Sequence, residues 1–255
     1  LKKMSEEELN FYENEDILVH GRNRKNLNFL RSNFNDIIEK YRYMDDSKVV
    51  QTPVYKIWVM WWAGEQNMTN IGKICFERMK RNFKIGTVTL ITSQNYDQFV
   101  KIPEHIIQLF KSKKITIVCF SDILRVFLVR TQGGLWLDST IFTANEIGAD
   151  LFDYSFYTVR GRIGFFVHNG KWNMYLLASK INSAATMFVA DMFDAYFKKF
   201  EHNINHFMID YLFLFGYEYI PIVRRILQKI PPNNENVLWL LSHINDAYDF
   251  KRYEI

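Results

Sequence analysis

The segment that most constrains this chain runs from Ser121 to Thr140. It reads Ser121-Asp122-Ile123-Leu124-Arg125 and then Gly133-Gly134-Leu135-Trp136-Leu137-Asp138-Ser139-Thr140. The spacing predicts a short helix that starts at Ser121, a good N-cap, and stops at Gly133, which supplies the left-handed end. Asp122 and Arg125 are three residues apart and share a face of that helix. Leu135, Trp136 and Leu137 suit a strand buried on both faces, with Asp138 emerging where it ends. Acid, base and acid therefore converge at the carboxyl edge of a sheet, where open α/β folds bind ligands. Each piece alone has a plainer reading: a surface ion pair, turn chemistry, or a cap on the next element. The order and the spacing carry the argument.

The surrounding periodicity is that of an α/β fold. A core strand is expected over 55–61, led in by Pro53, followed by a helix from Met68 to Phe83 with Ile71, Ile74, Cys75 and Met79 inward. A strand at 87–92, a helix near 103–111 and a strand at 115–119 continue the alternation. Upstream, residues 1–20 are polar, acidic and loosely helical, and Asn26 to Tyr43 repeats apolar residues at helical spacing. Residues 1–50 are thus read as an N-terminal helical extension and residues 51–255 as a single domain. Downstream, a strand is expected within 161–168 and a helix or lead-in from Trp172 to Ser179. Helices follow at 182–200, 204–215 and 221–230, the last ended by Pro231-Pro232.

This order of motifs resembles the core of sugar-transferring GT-A enzymes. It is similar to the glycosyltransferase sugar-binding region containing DXD, to bacterial capsular polysaccharide synthesis proteins and, more distantly, to clostridial glucosylating toxins. The resemblance extends upstream to Pro53-Val54-Tyr55-Lys56-Ile57-Trp58-Val59-Met60-Trp61-Trp62-Ala63-Gly64, and through Val88-Thr89-Leu90-Ile91-Thr92 and Phe120-Ser121-Asp122. It is strong over about residues 50–145 and looser elsewhere, where Gly170-Lys171-Trp172 and Ile209-Asp210-Tyr211 also match the capsule branch.

The resemblance implies roles. Asp122 and Arg125 would bind the hydroxyls and the phosphate side of a nucleotide-sugar donor. Asp138 would be the first acid of the DXD motif, contacting sugar or ribose and, directly or through water, a divalent cation, Mn2+ or Mg2+. Trp61 would pack on the base, with Trp58 or Trp62 as alternatives if the register slips. Asp210 would lie on a helix facing the donor sugar. The third DXD position is Thr140, a neutral and weaker ligand for a hard cation than a carboxylate. His243 or Asn245, near the C-terminus, could complete the metal shell. The resemblance also implies retention of anomeric configuration, UDP as nucleotide, and galactose or glucose as sugar.

The chemistry asks for such residues. A leaving diphosphate gathers negative charge that a cation or fixed positive groups must neutralise, and carboxylates near the ring stabilise an oxocarbenium-like centre. No Walker-type loop, dinucleotide fingerprint or Ser-His-Asp signature is present. His202, His206 and Asp210 are spaced i, i+4 and i+8, but Asn203 stands where a His-Glu-x-x-His site needs its acid. A solvated or acceptor-facing surface is the better reading there. Lys111, Lys113 and Lys114 read as a solvated face.

Composition bounds the rest. A length of 255 residues suits one domain with a substantial core. The net charge of +4 fits an anionic donor, a lipid-phosphate acceptor or a membrane surface, and nothing in the pattern points to nucleic acid. Cys75 and Cys119 read as buried free thiols in a reducing compartment, and no run of eighteen apolar residues occurs. The expected protein is therefore a cytoplasmic glycosyltransferase, soluble or peripheral at the inner membrane face. Its acceptor would be a capsular or other surface glycan, including a lipid-linked one. Exposed aromatic and basic residues of the C-terminal helices are candidate membrane contacts. A non-catalytic nucleotide-sugar or glycan-binding protein and a toxin-like protein glucosyltransferase are the alternatives.

Overall fold

The computed structural model describes residues 6–161, 167–234, 243 and 245–247, with side chains from residue 23 onward. Strands β1 (Lys56–Met60), β2 (Thr87–Ile91), β3 (Gly134–Leu137), β4 (Phe156–Thr158) and β5 (Leu176–Ser179) form one sheet in the order β2-β1-β3-β5-β4. β1 pairs parallel with β2 and β3, and β5 pairs antiparallel with β3 and β4. The helices are α1 (Glu6–Tyr41), α2 (Asn70–Asn82), α3 (Tyr96–Phe99), α4 (Glu104–Lys111), α5 (Ile117–Gln132), α6 (Ala184–Lys199), α7 (Met208–Tyr219) and α8 (Pro221–Gln228). The mixed α/β class expected from the sequence is therefore the one adopted.

Strand alternation sorts the core into two layers. Ile57, Val59, Leu135 and Leu137 point to the face covered by α2, joining Cys75, Phe76 and Met79. Trp58, Trp136 and Leu177 point to the opposite face, into the larger core built by α1 and α5 to α8. Trp136 and Asp138 are two residues apart, so the carboxylate that ends β3 leaves the sheet on the α5 side.

The N-terminal helix belongs to that larger core. Leu30, Phe34, Ile37, Ile38 and Tyr41 are all buried there, and the helix kinks at Phe34. Asp191 on α6 clamps it, accepting from Lys40, from the Tyr41 hydroxyl at 2.7 Å and from Arg130 at 3.0 Å. Asp46, in the Asp45-Asp46-Ser47 stretch after α1, accepts the Ala184 backbone N–H at 3.0 Å. It thereby caps α6 across 138 residues.

Four local expectations are corrected. The run 115–119 is no strand: Thr116 accepts the Cys119 N–H at 3.2 Å, and α5 begins at Ile117. A cap satisfies the first helical donors and overrides the β-branched composition of Ile115, Ile117 and Val118. Ser121 accordingly lies inside the helix rather than capping it. The segment 172–179 ends in strand β5, because Leu177 and Ala178 pair with Trp136 and Leu135 and are buried on both sides. On α2, Ile71 and Ile74 point outward, 60% and 57% exposed; the buried stripe is Gly72, Cys75, Phe76 and Met79. That stripe also has helical spacing, and it adds bulky Phe76 while glycine 72 admits the Trp61 ring.

Of the strand expected within 161–168, residues 162–166 lie outside the described residues, and 167–170 form a turn. Cys75 and Cys119 are free and buried. Among the described residues no helix is long and apolar enough to cross a membrane.

Candidate functional site

The site is assembled where β1 and β3 end and α5 begins. Gly133 stops α5 at φ +67°, its N–H bonding to the Val129 carbonyl, and Gly134 follows at φ +93°. A Cβ on Gly134 would lie 2.6 Å from the Lys56 carbonyl oxygen, so only glycine lets β3 start flush against β1. From that start β3 has room for three buried residues before the chain surfaces at Asp138.

Asp138 is fixed from three sides. Its N–H donates to the Tyr175 carbonyl at 2.9 Å, and its Oδ1 accepts the Trp136 indole N–H at 2.8 Å. The same oxygen lies 3.3 Å from the Arg125 guanidinium, which also reaches Asp122 Oδ1 at 3.1 Å. The i, i+3 pair expected on the helix is thus formed, and it is buried rather than solvated. Arg125 further donates to the Met174 carbonyl and covers the Trp136 ring, 5.3 Å from its centroid. Its Nε is buried without a hydrogen-bond partner.

Behind this pair stands Asp210, the first-turn acid of α7, 9% exposed and accepting the Trp172 indole N–H at 2.9 Å. Burial pushes the Asp210 carboxyl up to about 7, the Trp172 hydrogen bond opposes that rise, the Asp122 charge adds to it, and Arg125 opposes it. Burial likewise pushes Asp122 up to about 6, with Arg125 opposing, Asp138 adding and His206 opposing. One guanidinium therefore serves three carboxyls in a largely dry setting.

In front of them opens a cleft of about 390 Å³. Its walls are Met60 at the end of β1 and Trp61 after it, Ile117, Val118, Ser121 and Arg125 from the first turns of α5, Trp136 in β3, and Asp138, Ser139 and Thr140 after β3. Trp61 stands half-buried with its indole N–H donating to the Asn67 carbonyl at 3.1 Å. Trp58 is closed into the core, 1% exposed, its indole N–H bound to the Gly133 carbonyl at 2.8 Å. Trp62 packs among Tyr96, Phe110 and Phe120. Of the three tryptophans, Trp61 alone belongs to the cleft wall, because strand alternation sends Trp58 inward.

The histidines fall elsewhere than expected. His202 and His206 precede α7, which starts at Met208, so they form no helix face with Asp210. His202 lies 3.1 Å from the Lys114 carbonyl, whereas His206 is near enough to Asp122 to favour its charge. His243 is half-buried and Asn245 exposed in the C-terminal segment, and neither is a cleft-lining residue.

Among the described residues no three His, Cys, Asp or Glu side chains gather as an ion cage. Asp138 and Thr140 do share the cleft wall. A small hard cation held jointly with phosphate oxygens needs only one or two protein oxygens, so this pair fits such a shared ion and not a self-sufficient site.

Sequence reasoning missed Trp136 and Trp172 as the donors that orient Asp138 and Asp210. A signal existed for the first: a buried indole N–H needs an acceptor, and Asp138 is two residues along on the same strand face. Trp172 and Asp210 meet only through the tertiary fold. Ile117 and Val118 were hidden by the strand reading of 115–119.

No curated protein matches the chain. Among solved structures it is similar to "PaToxG Glycosyltransferase", at a TM-score of 0.47 and 14% identity, over 89% of this chain and 94% of that one. A family model described as capsular polysaccharide synthesis protein matches residues 7–255. The chain belongs to the capsular polysaccharide synthesis protein family.

Proposed function

We propose that the protein is a GT-A-type glycosyltransferase that moves a sugar from a nucleotide-sugar donor to a surface glycan with retention of configuration. The observation that carries this reading is the Asp122–Arg125–Asp138 cluster opening on a cleft at the carboxyl ends of parallel strands. Family membership supports the same chemistry.

In this reading Trp61 stacks on the nucleotide base at one end of the cleft. Arg125 directs its guanidinium at the diphosphate and donor-sugar hydroxyls, and the start of α5 adds its positive dipole end. Asp138, held by Trp136, receives hydroxyls of the ribose or sugar. A divalent cation, when bound, would neutralise the leaving diphosphate, with Asp138 and Thr140 as its protein ligands. Asp122 and Asp138 together supply negative potential beside the anomeric carbon as it gains positive charge. Asp210 lies behind them, held away from the cleft by Trp172, and acts on Asp122 through its charge. We assign it a positioning role. The donor is read as a UDP-hexose, of glucose or galactose, and the acceptor as a capsular glycan, including a lipid-linked one.

A thermal-shift series with nucleotide diphosphates and nucleotide sugars, each with manganese or with EDTA, tests the reading. Binding to the native state raises stability as RT ln(1 + [L]/Kd). Stabilisation by one nucleotide class that Asp138→Asn weakens is the expected result. No response to any nucleotide overturns it. Manganese enhancement that Thr140→Ala removes would support the shared cation, and indifference to EDTA would dismiss it.

A further inference from the structure

The outward turn of α2 leaves a feature that neither the core nor the cleft uses. Ile71, Ile74, Arg78 and Arg81 recur at i, i+3, i+7 and i+10, so they form one stripe along the helix. Ile71 and Ile74 are more than half exposed. Phe142 joins the stripe from the loop after Thr140: it is 55% exposed, with the Arg78 guanidinium 5.0 Å from its ring centroid. Arg78 is braced by the Thr143 and Ala144 carbonyls, which hold this loop against the helix. The only acid of α2, Glu77, is three residues from Ile74 and four from Arg81, so it borders the stripe, where it is paired with Lys80. The helix carries Lys73, Arg78, Lys80 and Arg81 against that single acid.

The stripe neighbours the cleft through its loop and its helix: Phe142 follows the cleft-lining Thr140 by two residues, and on the buried side of α2 Gly72 abuts the cleft-lining Trp61, a Cβ there lying 3.3 Å from the indole ring. Across the cleft, Ile117 and Val118 are 39% and 48% exposed. Ile117 and Val118 belong to the cleft wall itself, whereas Ile71, Ile74 and Phe142 lie outside its lining, on α2 and on the loop that leaves the cleft wall.

We infer that this stripe docks on an anionic bilayer, Ile71, Ile74 and Phe142 entering the interface while Arg78 and Arg81 meet lipid phosphates. Apolar residues flanked by cations that outnumber one neutralised acid are the pattern of an interfacial helix face on an anionic surface. Protruding side chains on separate elements suit a fluid surface better than a flat protein partner. The docking turns the cleft mouth to the lipid headgroups, where a lipid-linked acceptor would be presented. It deepens the acceptor side of the proposed function and rests on it only there. Donor-induced stabilisation reports on the donor site and vesicle binding on this face, so the two can fail separately.

Co-sedimentation of the full chain with phosphatidylcholine vesicles, with and without phosphatidylglycerol at about one lipid in three, provides the test. Binding to the anionic vesicles alone is expected, lost at high salt. Ile71→Ser/Ile74→Ser should lower the partition coefficient on the order of tenfold or more, and Arg81→Glu should lower it severalfold. All three positions are exposed, so unchanged thermal unfolding is the control for folding. Failure to bind either vesicle overturns the inference, as does binding indifferent to Ile71→Ser/Ile74→Ser. A concentration-dependent dimer dissolved by that double change, without vesicle binding, also overturns it and makes the face a protein interface.

Discussion

Replacing Asp210 by Asn isolates the electrostatic cost of the buried acids. Asn keeps an oxygen for the Trp172 indole N–H and loses only the capacity to ionise. In the native protein burial lifts this carboxyl from its ordinary 3.8 to about 7. The folded state therefore holds the proton more tightly than the unfolded chain. The stability this proton confers is fully present below about pH 4 and lost as pH rises through 7. A gap of roughly three pH units at about 1.4 kcal/mol each makes the loss about 4 kcal/mol. Against a typical domain stability of roughly 5–15 kcal/mol, such a loss is large. Asp122 lies in the same network and is raised to about 6, so removing one charge lets the other ionise more readily. Urea unfolding of both proteins at fixed ionic strength, stepped from pH 5 to pH 8, should show the wild type losing on the order of 2–4 kcal/mol more than the variant. Stability curves that run parallel across that range would refute the reasoning, because Asp210 would then carry no proton that the unfolded chain lacks.

Three further outcomes are expected. Asp138→Asn should lower transfer by about a hundredfold or more while moving the melting temperature little, since the side chain is 38% exposed and Arg125 keeps Asp122; turnover at the wild-type level would remove Asp138 from the chemistry. Thr140→Asp should tighten manganese binding, read by electron paramagnetic resonance titration, because it adds a carboxylate to the one already in the cleft wall; an unchanged affinity would show that position 140 makes no contact with the ion. Gly134→Ala should cost about 2 kcal/mol or more in denaturant unfolding, as the positive φ and the Lys56 carbonyl at 2.6 Å both oppose a Cβ; a neutral result would mean that β1 and β3 can separate without penalty.

What could be read from the sequence follows the range of the forces involved. β1 and β3 were legible because apolar runs bounded by Gly or Pro specify buried parallel strands within a few residues, and β2, a half-buried edge strand, because its β-branched run follows Gly86. The Asp122–Arg125 pair was legible because i, i+3 geometry is local to one helix turn. The start of α5 was misread because the composition of 115–119 favours a strand, whereas a hydroxyl cap at Thr116 decides the matter. On α2, Cys75 and Met79 face inward as the spacing says, but Ile71 and Ile74 do not, because apolar residues occur on two sides of the helix and only the partner, Trp61 against Gly72, selects between them. Asp210 was placed near the site by resemblance, but its holder Trp172 lies 38 residues away in sequence. No periodicity reports that contact.

The two indoles point to a common logic in the site. Trp136 donates to Asp138 and Trp172 to Asp210, so two of the acids around Arg125 are each aimed by a rigid ring whose own burial demanded an acceptor. Asp122 has the guanidinium instead. When all three carboxyls ionise, a single positive charge cannot balance them, and burial makes the excess costly for Asp122 and Asp210. A second positive charge arriving in the cleft would relieve that excess. A divalent cation riding on a diphosphate is one such charge, and an anomeric carbon losing its leaving group is another. The same imbalance that should weaken the protein toward alkaline pH is thus the one that would favour a cationic transition state, and Asp210→Asn should relax both together.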